Sequence, residues 1–206
     1  MPATVSSERN KPFGTEHQNR GAPGTEPGPD RIGPEAIGPE QEDSMGEKRT
    51  DYLTWDEYFM GVAFLSGLRS KDPHTQVGAC IVSADNKILS MGYNGFPKGC
   101  SDDDFPWTRE GDDPLQNKYF YSTHSELNAI LNYRGGSLEG SKLYVSLFPC
   151  NECAKAIIQA GIRTVIYDCD KYGDTPSVMA SKKMFDAAGV RYYQYTRTNR
   201  EIKITV

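Results

Sequence analysis

KLYVSLFPCNECAKAIIQAGIRTVIYDC, residues 142–169, is the stretch from which the fold can be read. Residues 142–147 form a β-type run, residues 151–160 read as a helix closed by Gly161, and residues 163–168 form a second β-type run. A helix of this length between two strands is a crossover that sets them parallel, with helices packed on the faces of the sheet. Downstream the pattern repeats, with a helix near 176–188 closed by Gly189 and a strand at 190–195; upstream, a helix near 124–134 precedes it. Farther upstream, residues 77–83 and 87–93 are β-type runs joined by the turn-forming Ala84-Asp85-Asn86, an antiparallel hairpin, and a loop then runs through 94–121. Thr54-Trp55-Asp56-Glu57 has the pattern of a capping box, opening a helix that places Trp55, Phe59, Val62 and Ser66 on one stripe and should end near Ser70. The expected fold is α/β: a three-layer α/β/α sandwich on a mixed five-stranded sheet, an antiparallel first hairpin followed by parallel strands. Residues 201–206 fit either one more edge strand or a frayed end.

The chain has 206 residues, 37% hydrophobic and 25% charged, enough for one core of ordinary domain size plus a tail. Residues 1–47 are rich in Gly, Pro and Glu and contain the short duplication IGPEA, IGPEQ; such a segment buries too little apolar surface to offset its chain entropy and is expected to be disordered. Its nine acidic against four basic residues argue against an import presequence. Residues 48–206 then form the folded domain. A net charge of −5 disfavours a nucleic acid polymer as partner, and no run approaches the ~20 apolar residues of a membrane span. Five cysteines without a secretory apolar segment near Met1 point to a reducing compartment, read here as cytoplasmic.

Chemistry concentrates in two phrases, Thr123-His124-Ser125-Glu126 and Pro149-Cys150-Asn151-Glu152-Cys153. One imidazole and two thiolates from the starts of two successive helices suit Zn²⁺, and three protein ligands leave a position for water, whose pKa the metal lowers. Helix N-termini favour thiolate over thiol. Glu126, two residues after His124, is placed to take the proton. Taken alone, the first phrase also fits a capping box, and a lone Cys-x-x-Cys fits a redox pair or half of a structural zinc site. A structural site needs a fourth ligand, and Cys100, Cys169 and His74 are poorly placed to supply one. His-x-Glu followed by Pro-Cys-x-x-Cys is the signature of the zinc nucleobase deaminases.

From about residue 51 to 195 the chain resembles the deoxycytidylate (dCMP) deaminases of the cytidine/deoxycytidylate deaminase superfamily. Beyond the zinc motif, the resemblance rests on Ser70-Lys71-Asp72-Pro73, on Val77-Gly78-Ala79-Cys80-Ile81-Val82, and on Gly92-Tyr93-Asn94-Gly95 with Pro97 and Gly99-Cys100-Ser101-Asp102-Asp103. Glu126-Leu127-Asn128-Ala129-Ile130 and Leu147-Phe148-Pro149-Cys150-Asn151-Glu152-Cys153-Ala154-Lys155 complete it. Ser125 departs from the family's usual Ala; its hydroxyl could bond a local backbone group or sit against the base, and without a partner it would cost roughly 1–3 kcal/mol.

The resemblance implies hydrolytic deamination of dCMP to dUMP and ammonia, with one Zn²⁺ and with Glu126 as the proton shuttle. It implies that Asn94 bonds the sugar and that Tyr172 contacts the substrate. For the 5′-phosphate the candidate cations are Arg69, Lys71, Lys98 and Lys171, with Arg69 and Lys71 placed first. It implies a hexamer activated by dCTP with Mg²⁺ and inhibited by dTTP, the regulatory nucleotides lying near Gly92, Tyr93, Asn94, Gly95 and Lys98, where Asp102-Asp103-Asp104 could order the Mg²⁺. His74 reads as solvated, and Trp107 with Tyr119-Phe120-Tyr121 as packing or interface. The alternatives are a deaminase of another cytosine or purine nucleoside or nucleotide, and a weakened relative that keeps zinc as a folding staple.

Overall fold

A computed structural model describes residues 46–110 and 112–206, so the tail expected at 1–47 lies, but for its last two residues, outside the described residues. The compact unit that carries the site spans Arg49–Val206. Its elements run α1 (Trp55–Gly67), β1 (Gly78–Val82), β2 (Ile88–Tyr93), α2 (Ser125–Asn132), β3 (Lys142–Leu147), α3 (Asn151–Gln159), β4 (Thr164–Cys169), α4 (Pro176–Ala188) and β5 (Arg191–Gln194). The strands form one sheet in the order β2-β1-β3-β4-β5. β1 pairs antiparallel with both β2 and β3, while β3, β4 and β5 are parallel.

Alternation along the strands divides the core in two. Ala79, Ile81, Leu143, Val145 and Val165 point to one face, where they meet Ala129 of α2, Ile157 of α3 and Phe185 of α4. Cys80, Val82, Tyr144 and Ile166 point to the other and pack on Phe59, Met60 and Ala63 of α1. Three layers result because each face of the sheet is apolar, one being covered by α2, α3 and α4 and the other by α1. Gly161 and Gly189, which follow α3 and α4, take φ of +81° and +67°, the left-handed conformation that ends a helix without strain.

Thr54 caps α1 in a complete capping box: its Oγ1 accepts from the Glu57 amide, and the Glu57 carboxylate accepts from the Thr54 amide at 2.7 Å. The buried stripe of that helix is Phe59, Met60, Ala63 and Gly67. Trp55, expected on it, is 58% exposed, because burial follows the residues that face Cys80 and Tyr144. The helix stops at Gly67, not near Ser70, where it presses on the backbone of Gly78. Residues 201–206 add no strand.

Candidate active site

His124 is the N-cap of α2 and Cys150 the N-cap of α3, and neither helix start carries a side-chain cap. The capping box conceivable at Thr123 is therefore not formed, and the Glu126 carboxylate is left for other work. His124 Nδ1 lies 3.3 Å from Cys150 Sγ and 3.6 Å from Cys153 Sγ. The three donor atoms fall within 4.8 Å of one another, and no fourth His, Cys, Asp or Glu joins them among the described residues. Zn–S bonds of about 2.3 Å and Zn–N bonds near 2.0 Å at tetrahedral angles set donor atoms roughly 3.6–3.8 Å apart, so this set fits one zinc ion. Cys100, Cys169 and exposed His74 stand outside it.

The protonation of the cluster reflects its crowding. A hydrogen bond from the Cys153 thiol, helped by His124, outweighs burial and holds the Cys150 thiol pKa well below its usual value. The same hydrogen bond, with burial, pushes Cys153 up. His124 is raised to about 9 by its bond to Cys150, against the cost of burial. Left to itself the cluster pairs one thiolate with an imidazolium, and a dication among these atoms displaces both the second thiol proton and the imidazolium proton. α4 holds the Pro-Cys turn in place: Ser181 Oγ donates to the Pro149 carbonyl at 2.9 Å, and Ser177 Oγ donates to Asn151 Oδ1 at 2.7 Å.

Glu126 is 4% exposed, and burial pushes its carboxyl pKa up. Ser125 is fully buried, and its hydroxyl donates to Glu126 Oε2 at 2.9 Å. The departure at this position thus has a partner, and the penalty for an unsatisfied hydroxyl does not arise. Behind it, Gly92 of β2 faces α2 so closely that a Cβ would stand 2.2 Å from the Ser125 carbonyl oxygen and 2.4 Å from the Ala129 nitrogen. Neither Gly92 nor Gly95 has a positive φ, so the glycine at 92 serves the close approach of the helix that carries Glu126.

Glu126, His124 and Cys150 sit in the lining of a cavity of about 470 Å³, within the usual range of small-ligand sites. Asn94 and Tyr172, both expected at the substrate, line it too. The amide of buried Asn94 is largely committed: Oδ1 accepts from the Val77 amide at 2.8 Å, and Nδ2 donates to the Thr75 carbonyl at 2.9 Å and to Asp72 at 3.3 Å. Only a second lone pair on Oδ1 remains for a ligand hydroxyl. Tyr172 is 41% exposed, with the Lys171 ammonium 5.0 Å from its ring centre.

The cations expected at the phosphate fall elsewhere. Arg69, Lys71, Lys98 and Lys171 are exposed and do not line the cavity, and Lys71 pairs with Asp102. The cations that do line it are Arg109 and Lys118, from the long loop. Lys118 is buried against Asp72. Burial tends to raise the Asp72 pKa, but Lys118 and the amides of His74 and Thr75 outweigh it and hold the carboxyl below its usual range. The loop itself is shaped by Phe96, Phe105, Trp107 and Tyr121, which pack ring to ring, and by Trp107 Nε1 donating to the Asp102 carbonyl at 2.9 Å. Tyr121 and Trp107 pack within the loop, while Tyr119 and Phe120 are exposed, Tyr119 at the cavity. No local pattern singles out Arg109 or Lys118, since in sequence each is one more loop cation.

An imidazole, two cysteines and an adjacent buried acid at the wall of such a cavity, on a five-stranded α/β/α scaffold, define the class of zinc-dependent nucleobase deaminases. Residues 53–169 match the family model described as the cytidine and deoxycytidylate deaminase zinc-binding region, and the chain belongs to that family. It is 55% identical over 162 residues, 76% of this chain and 80% of the other, to a probable deoxycytidylate deaminase of Drosophila melanogaster. The deoxycytidylate deaminase of Homo sapiens is 56% identical over 149 residues, 72% of this chain and 84% of that protein. Among solved structures, the dCMP deaminase of cyanophage S-TIM5, crystallised with dCMP and dUMP, superposes with a TM-score of 0.55 at 28% identity, covering 68% of this chain and 95% of that one.

Proposed function

We propose that the protein hydrolyses dCMP to dUMP and ammonia, supplying the precursor of thymidylate. The observation that carries this is the buried Glu126 carboxylate, which caps no helix, beside three converging metal donors at the wall of a nucleotide-sized cavity. Relatives named deoxycytidylate deaminase and a structural neighbour crystallised with dCMP support the choice of substrate.

His124, Cys150 and Cys153 would hold the zinc, which when bound makes water acidic enough to furnish a nucleophile at neutral pH. Glu126 takes the proton of the attacking water and delivers it to cytosine N3 as the oxygen adds to C4. It then moves the remaining hydroxyl proton to the amino group, so that C–N cleavage releases ammonia and leaves the uracil carbonyl. Burial, which raises the carboxyl pKa, favours return of the proton from Glu126 to the substrate. Ser125 restrains one carboxylate oxygen. Asn94 Oδ1 accepts from a sugar hydroxyl, and Tyr172 covers the substrate from the mouth of the cavity.

Regulation belongs to the same proposal. dCTP with Mg²⁺ activates and dTTP inhibits a hexamer, the nucleotides meeting Tyr93, Gly95 and Lys98 at contacts between copies; the exposure of Tyr93 and Lys98 supports a surface role, whereas Gly92 and Asn94, expected with them, are buried against α2 and at the cavity. Ammonia release from dCMP, CMP and cytidine, each with and without dCTP and dTTP, tests both parts. Preference for cytidine or CMP would replace the substrate reading, and indifference to both triphosphates would remove the regulatory one.

A further inference from the structure

From the cavity wall we infer that Arg109 binds the 5′-phosphate and so selects a nucleotide over a nucleoside. The inference rests on the dCMP reading and deepens it. Of the two cations that line the cavity, Lys118 is spent, because its ammonium is buried against Asp72 and that pair is neutral. Arg109 pairs with no carboxylate among the described residues; its one side-chain bond runs from Nη2 to Thr75 Oγ1 at 2.8 Å. Its Nε is buried and has no partner among the described residues. A buried guanidinium donor without an acceptor is uncommon, and a ligand oxygen resolves it. The planar fork of arginine suits two phosphate oxygens at once, which the point charge of a lysine does not.

Position supports the same assignment. The Thr75 carbonyl accepts from Asn94, the proposed sugar contact, and the Thr75 hydroxyl accepts from Arg109. Arg109 is thus one residue removed from the sugar site, where a group carried on the sugar must lie. The backbone beneath it is fixed, since Asn117 Nδ2 donates to the Arg109 carbonyl at 2.9 Å and the Lys118 amide donates to the Thr108 carbonyl at 3.0 Å. The site is therefore organised before the substrate arrives, which limits the entropy lost on binding.

The test compares Arg109→Gln and Arg109→Lys with Arg69→Gln and Lys71→Gln, the exposed cations outside the cavity, in the zinc-loaded full chain. For Arg109→Gln, KM for dCMP and the inhibition constant of dUMP should rise about 30–100-fold with kcat within tenfold, the loss expected for charge-assisted phosphate bonds. Arg109→Lys should recover part of that loss, and the two exposed variants should match the parent. An unchanged KM in Arg109→Gln, a fall confined to kcat, or a larger rise in either exposed variant overturns the inference. Zinc content and melting temperature establish that each variant is folded, and the lysine variant carries the comparison if the glutamine variant is not. Failure of the parent chain to deaminate dCMP at all is a different result, and overturns the substrate reading instead.

Discussion

His124, Cys150 and Cys153 are drawn from the starts of two successive helices and lie at most 29 residues apart in the chain, each held by the first turn it opens. The facing wall is built differently: Asp72, Asn94, Arg109 and Lys118 come from loops and strand ends, and its central ion pair joins residues 46 apart. Each metal donor sits in the first turn or cap of a helix, with α4 bracing the Pro-Cys turn through Ser181 and Ser177, whereas the opposite wall is held by hydrogen bonds and an ion pair between loops and strand ends. The reacting groups should therefore tolerate damage to the wall, and the wall should fail by losing stability or affinity before chemistry.

The sharpest way to break that contrast is Glu126→Gln, which should retain zinc and fold while kcat falls at least 10²–10⁴-fold, read by ammonia release alongside metal analysis. Loss of zinc in this variant would mean that the acid is structural. Next in size, Asp72→Ala leaves Lys118 buried without its carboxylate and should cost about 3–5 kcal/mol in denaturant unfolding, with zinc still bound in the folded fraction. Because the folded pKa of Asp72 is lowered, its contribution to stability is present above the unfolded value, roughly 3.9, and is lost as pH falls through the lower folded value. Stability of the parent should therefore drop on the acid side of pH 4, and Asp72→Asn should flatten that limb.

Gly92→Ala sharpens the comparison from the other direction, because the added methyl strikes the backbone of the helix that presents Glu126. It should cost about 3 kcal/mol and reduce turnover together with stability. Smallest is Ser125→Ala, which removes one hydrogen bond to Glu126 and should change unfolding free energy by about 1 kcal/mol while leaving zinc content unaltered.

The elements were legible wherever a local rule acts. The crossover stretch at 142–169 reads directly as β3, α3 and β4, and α4 spans the expected 176–188 and closes at Gly189. On α1, Phe59 and Val62 face the core as expected but Trp55 does not, because periodicity fixes the angular spacing of a face but not its centre, and contact with Cys80 and Tyr144 chose Met60 and Ala63 over Trp55. Gly92 enters the sequence reading only as part of Gly92-Tyr93-Asn94-Gly95, and only the position of α2 reveals that its absent side chain is what matters.

The sequence alone determined the layered α/β architecture, the metal donors and the acid beside them, since strand alternation, helix termini and the spacing of a ligand motif act over a few residues. Tertiary structure alone decided which cations face the cavity, that Asp72 neutralises Lys118, and that the Asn94 amide is already engaged. Those outcomes depend on how a long loop closes against strand ends, and loop closure is governed by contacts between distant residues that no local pattern records.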